Sequence, residues 1–217
     1  MPSQRVLVVL SGCGYLDGAE VHESVISLLA FDRAGASVQC AAPDKAQMHV
    51  VDHLKGEPTS ETRNVLVESA RIARGRIVPL STVKADDYDA LFMPGGFGAA
   101  KNLSTVATEG PAASVDPDLV RLLKEFRAQH KPIGAVCISP AVLVAALREG
   151  DVTIGNDPGT AGAITAMGGV HHDCPVTEMH VDMARKIVTA PAYMYDARIS
   201  EVATGIEAAV CATLELA

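Results

Sequence analysis

Short, mostly apolar runs alternate with longer helix-like segments along this chain. The apolar runs lie at 5–10, 37–42, 88–93, 133–136 and 186–190. Segments with helical spacing or an alanine- and leucine-rich composition separate or follow them, at 17–34, 59–73, 118–129, 141–147 and 199–216. Alternating strands and helices form a parallel sheet with helices on both faces. The sequence therefore predicts an α/β protein whose ligands bind at the carboxyl ends of the strands.

Composition limits the kinds of partner. The 217 residues, 48% of them hydrophobic, suit one domain spanning 1–217. The formal charge of -8, with no concentrated basic segment, argues against a nucleic-acid partner, whose phosphates would need lysine and arginine. We expect a small-molecule or protein partner instead.

The termini and cysteines indicate a cellular setting. No apolar stretch approaches the roughly 18 residues of a membrane-spanning helix, so no membrane partner is expected. Residues 1–5 lead into a strand without a secretory or transit segment, which predicts a soluble cytoplasmic protein. The cysteines are odd in number and form no CxxC pair, which favours reduced thiols. They are Cys13, Cys40, Cys137, Cys174 and Cys211.

Cys137 lies where the run 133–136 ends and the helical segment 141–147 approaches. A cysteine at such a strand-to-helix turn stands at the sheet edge, where the helix N-terminus favours its thiolate. A buried cysteine that merely closes a hydrophobic strand is the alternative, since free cysteine is often buried. The turn is thus a candidate nucleophile site.

Two carboxylates, Glu20 and Glu23, open the first predicted helix. Their spacing of three places both on roughly one face, toward the carboxyl edge of the sheet. Acidic residues in a first turn also simply complement the helix dipole. Either a reactive carboxylate or a helix-stabilising one is consistent with this pattern.

A glycine-rich loop follows the run 88–93, beginning with Pro94-Gly95-Gly96. Glycines allow a substrate to approach the main chain closely, and such a loop can donate N–H groups to an oxyanion. An ordinary tight turn is the alternative. Neither phosphate-loop spacing is present.

Two histidine groups raise the question of a metal. His49 and His53 are four residues apart, but Val50-Val51 favours extended structure, which does not place the pair on one helix face. The cluster 171–174 contains His171, His172, Asp173 and Cys174, whose adjacent side chains would point in opposite directions on a strand. No metal and no cofactor are expected.

Several loops together resemble the PfpI-type superfamily, which contains the parkinsonism-associated deglycase, heat-shock glyoxalases and relatives of class I glutamine amidotransferases. The glycine loop and cysteine turn carry the resemblance through ALFMPGG at 90–96, KNLS at 101–104 and GAVCISP at 134–140. Further segments resemble its ElbB branch, the isoprenoid-biosynthesis glyoxalases, over essentially the whole chain. They are LSGCG at 10–14, Asp17-Gly18, His22-Glu23, ETRN at 61–64 and TAPAYM at 189–194.

The resemblance implies a flavodoxin-like three-layer sandwich, mainly parallel, with a cysteine nucleophile elbow. It implies that Cys137 is the nucleophile of a glyoxalase acting on glyoxal, and that Glu23 is the acid/base that contacts the sulfur, with Glu20 the second choice. A raised pKa for a carboxyl crowded by a thiolate is chemically reasonable. Backbone N–H groups of Gly96 and Ile138 would form the oxyanion hole. A homodimer is also implied.

The resemblance leaves further residues as candidates for the pocket, without assigned roles. These are Glu20, Cys13, Gly95, Asn102, His22, His171 and His172. Some superfamily members carry histidine directly after the nucleophile, whereas this chain has Ile138, which disfavours a glutaminase triad. Repair of glycated amines and a non-enzymatic redox sensor remain alternatives to the glyoxalase, because the same thiol serves all three.

Overall fold

A central seven-stranded sheet organises the computed structural model, which describes residues 3–217. Its strands are β1 Arg5–Val9, β2 Ser37–Ala42, β5 Ile77–Pro79, β6 Ala90–Met93, β7 Ile133–Val136, β10 His180–Asp182 and β11 Ile187–Ala190. Two small sheets consist of β3 Val51–Asp52 with β4 Glu57–Pro58, and β8 Asp151–Val152 with β9 Val170–His171.

The strand order in the main sheet is β10-β11-β7-β6-β1-β2-β5. All neighbours are parallel except the edge strand β10, which runs antiparallel to β11. The prediction of a mainly parallel, flavodoxin-like α/β sandwich is confirmed. Because the chain adds β2 and β5 on one side of β1, and β6 and β7 on the other, the loops after β1, β6 and β7 meet at the switch point of the sheet.

Helices cover both faces of this sheet. They are α1 Val21–Arg33, α2 Val65–Ile72, α3 Phe97–Lys101, α4 Val106–Glu109, α5 Pro117–Ala128, α6 Ser139–Leu147, α7 Pro158–Ala166 and α8 Ile199–Glu215. In β1, Val6 and Val8 join the core beneath α1 and α8, while Leu7 and Val9 join the opposite core beneath α5 and α6. Side chains alternate along a strand, so one apolar run supplies both cores. No helix within residues 3–217 combines the length and apolarity needed to cross a membrane.

Helix starts differ from the predicted ones because side chains cap them. Helix α1 begins at Val21 because the Glu20 carboxylate accepts a hydrogen bond from the backbone N–H of Glu23. Helix α2 was predicted to begin near Thr59, but it begins at Val65, after Asn64 accepts a hydrogen bond from the Val67 N–H. Such caps satisfy N–H groups that have no partner within the helix.

Close packing between β7, β6 and α8 depends on Gly134. A Cβ atom at this position would lie 2.3 Å from Cδ2 of Phe92 and 2.8 Å from Oγ1 of Thr213. Both of those side chains are fully buried. The Phe92 ring therefore occupies the space that any side chain at 134 would need.

We expect Gly134→Ala to lower the free energy of unfolding by about 1–3 kcal/mol, the usual cost of overpacking a core. Urea unfolding measures this change. Gly162→Ala is the matched control, because a Cβ there meets no atom within 4 Å and lies within helix α7. The control is expected to raise stability by about 0.5–1 kcal/mol, since alanine is the better helix former. Equal effects of the two substitutions would contradict the packing argument.

Candidate active site

Cys137 occupies the turn between β7 and α6. Its backbone has a φ of 62°, in the left-handed region that non-glycine residues rarely adopt, and its N–H donates to the Ala190 carbonyl oxygen at 3.0 Å. The side chain is 7% exposed. A residue held in such a conformation is fixed by its surroundings, and such positions concentrate at functional sites.

Glu23 lies in the first turn of α1 and is fully buried. Its Oε2 accepts a hydrogen bond from the Gly95 N–H at 2.8 Å, and its Oε1 accepts one from the Tyr193 N–H at 3.2 Å. The Cys137 thiol lies close enough to this carboxyl to lower its pKa. The structure thus brings together the two residues proposed as nucleophile and acid/base.

Gly95 separates the thiol from the carboxyl with no space for a side chain. A Cβ atom at Gly95 would lie 2.4 Å from Cβ of Cys137. It would lie 3.0 Å from Sγ of Cys137 and 3.0 Å from Oε2 of Glu23. The Gly95 carbonyl oxygen also accepts the Glu20 N–H at 2.9 Å, which fastens the start of α1 to the glycine loop. The loop therefore belongs to the site, and Gly95 is required for the close approach.

Two further backbone N–H groups, of Gly96 and Ile138, lie close enough to Cys137 to lower the pKa of its thiol. Gly96 has a φ of 89°, and a Cβ there would lie 2.5 Å from the Gly18 carbonyl oxygen. The Ser139 hydroxyl donates to the Pro94 carbonyl oxygen at 2.7 Å and links the two loops. N–H groups converging beside a nucleophile have the arrangement that an oxyanion hole needs.

Burial dominates the electrostatics of the pair. The pKa of Glu23 is raised to about 7, mainly by desolvation and also by the Glu20 charge, while the N–H groups of Gly95 and Tyr193 oppose that shift. Burial also raises the pKa of the Cys137 thiol, as does the Glu23 charge, while the N–H groups of Gly96 and Ile138 oppose it. A thiolate therefore forms most readily when Glu23 carries a proton.

The other two candidates on α1 lie beside this pair. Glu20 is half-buried, and its Oε2 accepts the Glu23 N–H at 2.7 Å, so this carboxylate caps the helix. His22 is exposed, and its Nδ1 lies 2.9 Å from the Tyr193 phenol oxygen.

Asn102 and Cys13 lie in the loops that support the site. The buried Asn102 amide donates to the carbonyl oxygens of Ser11 and Asp17, both at 2.9 Å. Burial raises the pKa of the Cys13 thiol, and the Glu68 charge adds to this shift. The structure shows Asn102 joining two loops, with its donor group already engaged.

His171 lies in strand β9 and His172 follows it. Their recorded contacts are with residues other than Cys137 and Glu23. His171 Nε2 accepts the Ile154 N–H at 3.4 Å, and the His172 ring stacks on His180 with centroids 4.1 Å apart. Across residues 3–217, no group of three or more His, Cys, Asp or Glu side chains is arranged to hold a metal ion.

Tyr193 is the site residue that the sequence analysis did not single out. It follows strand β11, which pairs with β7 in parallel and so ends at the same edge of the sheet as Cys137. Its position after a strand that ends at this edge of the sheet was the signal that could have predicted Tyr193 near Cys137. A residue acting through its backbone N–H gives no side-chain pattern of its own.

The known proteins that this chain resembles can now be set beside this geometry. A family model described as "DJ-1/PfpI family" matches residues 4–154. The chain belongs to the DJ-1/PfpI family. This DJ-1/PfpI protein is 48% identical to a human protein, "Glutamine amidotransferase-like class 1 domain-containing protein 3, mitochondrial", over 99% of this chain and 84% of that one. It is 47% identical to the rat "ES1 protein homolog, mitochondrial", over 99% and 85% of the two chains.

Among solved structures, a crystal structure from Ehrlichia chaffeensis matches this DJ-1/PfpI protein with a TM-score of 0.93 and 40% identity, covering 99% of both chains. That protein is described as an "isoprenoid biosynthesis protein with amidotransferase-like domain". The prediction of a cytoplasmic location was wrong, because three curated relatives carry the description "mitochondrial". Composition and fold do not determine cellular location, since cellular addresses are read by receptors rather than by the folded core.

Burial of Glu23 predicts a pH-dependent stability. The pKa of Glu23 is about 7 in the folded protein, against an ordinary value of 4.5 for this carboxyl. As pH rises from about 4.5 to 7, the unfolded chain releases a proton that the folded protein retains, so folding stability falls across this window. We expect Glu23→Gln to abolish this fall, so the variant gains about 3 kcal/mol relative to wild type between pH 4.5 and 7.5.

Urea unfolding at several pH values measures this relative gain. The exposed Glu57 supplies the control, because Glu57→Gln should shift stability equally at every pH in the window. A constant difference between Glu23→Gln and wild type would show that the carboxyl ionises normally in the fold.

Proposed function

We propose that this protein is a cofactor-independent glyoxalase that converts glyoxal to glycolate. The observation that carries the proposal is the buried pair of Cys137 and Glu23, with the N–H groups of Gly96 and Ile138 directed at the sulfur. Membership of the DJ-1/PfpI family supports it, because this family includes glyoxalases and deglycases. In this proposal, Cys137 is the nucleophile and Glu23 the acid/base.

The first step is attack on one aldehyde carbon. With the shared proton on Glu23, the Cys137 thiolate forms a C–S bond to glyoxal, and the aldehyde oxygen becomes an alkoxide. The N–H groups of Gly96 and Ile138 stabilise that oxygen, and Glu23 then protonates it. The product is a hemithioacetal, and Glu23 is left as a carboxylate.

The second step is an internal redox rearrangement. The Glu23 carboxylate removes the C–H proton of the hemithioacetal carbon, and the resulting enediol is protonated on the neighbouring carbon. The first carbon is thereby oxidised to a thioester, and the second is reduced to a hydroxymethyl group. Water hydrolyses the thioester, which releases glycolate and regenerates the thiol. Glyoxal and water together contain the same atoms as glycolic acid, so the reaction needs no external oxidant or reductant.

The narrow access to the site favours a small substrate. Cys137 is 7% exposed and Glu23 is fully buried. A groove of about 710 Å³ runs beside α1, α2 and β2, but none of the site residues lines it. We therefore infer the substrate from the chemistry of the buried pair, and a two-carbon dialdehyde suits its limited exposure.

Membership of the ElbB branch, and with it a role in isoprenoid biosynthesis, belongs to the same proposal. Its support is the resemblance of the motifs and the description of the Ehrlichia chaffeensis protein. A glutaminase reaction has weaker support, since Ile138 follows the nucleophile where some superfamily members carry histidine.

The test is glycolate formation from glyoxal by EDTA-treated protein. We expect turnover by wild type, a loss of at least about 1,000-fold in kcat/KM for Cys137→Ala, and a loss of about 100-fold or more for Glu23→Gln. Cys40→Ala is the matched control, because it removes a buried thiol of strand β2 and should retain activity.

Other results would point to different functions. No glycolate from a folded wild type, together with fast alkylation of Cys137, would contradict the glyoxalase and favour the redox sensor. Release of amines from glycated peptides at a higher kcat/KM than glycolate formation would favour the deglycase.

A further inference from the structure

The segment 190–193 contacts both members of the reactive pair. At its start, the Ala190 carbonyl oxygen accepts the Cys137 N–H at 3.0 Å. At its end, the Tyr193 N–H donates to Oε1 of Glu23 at 3.2 Å. Between them, Ala192 has a φ of 46°, in the left-handed region that costs a non-glycine residue energy. Four residues thus fix the backbone of the thiol relative to the carboxyl.

The side chain of Tyr193 ties this segment to α1. Its phenol oxygen lies 2.9 Å from Nδ1 of His22, the residue immediately before Glu23. The two rings also lie against each other, with centroids 5.7 Å apart. Tyr193 therefore binds two consecutive residues of α1, His22 through the phenol and Glu23 through the backbone.

We propose that Tyr193 and His22 form a positioning pair, whose hydrogen bond holds the Tyr193 N–H against the Glu23 carboxylate and so biases where the shared proton resides. This inference rests on the proposed function of Glu23 as acid/base. Ala192 is in a strained conformation, and a turn released from α1 would relax toward commoner backbone angles. The phenol–imidazole bond counters that relaxation.

The charges around the pair set the direction of the bond. Burial raises the pKa of the Tyr193 phenol, and the nearby charges of Glu20 and Glu23 raise it further. The phenol therefore stays protonated, and we assign it as the donor to Nδ1 of His22. Because the Tyr193 N–H lowers the pKa of Glu23, loosening the turn should raise that pKa further above its ordinary value.

The test is a ¹³C NMR titration of the Glu23 carboxyl in a Cys137→Ala background, where the thiol does not titrate with it. Glu23→Gln identifies the signal. We expect Tyr193→Phe and His22→Ala each to raise the pKa of Glu23 by about half a pH unit. The double variant should shift no further than either single one, because both remove the same bond. His22→Asn should restore the original value, since its amide oxygen replaces Nδ1 as acceptor.

Tyr195→Phe is the matched control. It removes a tyrosine hydroxyl two residues beyond Tyr193, but that hydroxyl donates to the Cys174 carbonyl oxygen at 2.9 Å and not to α1. It should leave the Glu23 titration unchanged. Absent shifts, additive shifts, or a fall in the pKa of Glu23 in the single variants would each overturn the proposal.

This titration needs no turnover, so the two proposals can fail separately. Shifts of the expected sign without glycolate formation would retain the positioning pair and remove the glyoxalase. Glycolate formation without the shifts would do the reverse. If both proposals hold, Tyr193→Phe should also shift the acidic limb of the pH profile for kcat/KM to higher pH. The shift should equal the change in the pKa of Glu23.

Discussion

The structure around the site depends on a carboxyl group that has been removed from water. Glu23 is fully buried, although its residue type is rarely so. Loops from two different strands supply its hydrogen bonds, through the N–H groups of Gly95 and Tyr193. A charged carboxylate in this place is costly unless paired, so the group retains its proton near neutral pH. Desolvation is therefore what converts an ordinary acid into a proton donor for the neighbouring sulfur.

The sequence left two interpretations open for the acids at the start of α1, and the structure matches one interpretation to each acid. Glu20 accepts the N–H of Glu23 and caps the helix, as the helix-end interpretation requires. Glu23 turns inward to the thiol, as the reactive interpretation requires. The roles are also coupled, because the Glu20 charge contributes to the raised pKa of Glu23. A helix cap in this position therefore also tunes the site.

Features marked by a local sequence pattern could be predicted, whereas features defined by contacts between distant residues could not. Strand β2 and the turn at Cys137 were predicted correctly, since a continuous apolar run marks a buried strand and its end. Strands β5 and β10 were not predicted, because each has only three residues and is defined by pairing with a neighbour. Asn102 was a pocket candidate from the family resemblance, but the folded chain uses its amide to join loops. Such hydrogen-bond partners are distant in sequence, and no local pattern predicts them.

Backbone N–H groups oppose the effect of burial at both side chains of the site. The N–H groups of Gly95 and Tyr193 donate to the carboxyl, and those of Gly96 and Ile138 lower the pKa of the thiol. Such donors are fixed by the fold and need no reorganisation when charge develops on a substrate oxygen. They also occupy the space around the sulfur, which leaves Cys137 only 7% exposed. A bulky protein-bound adduct would have to displace these loops further than a small aldehyde would. The same contacts that prepare the thiol thus favour the glyoxalase over the deglycase.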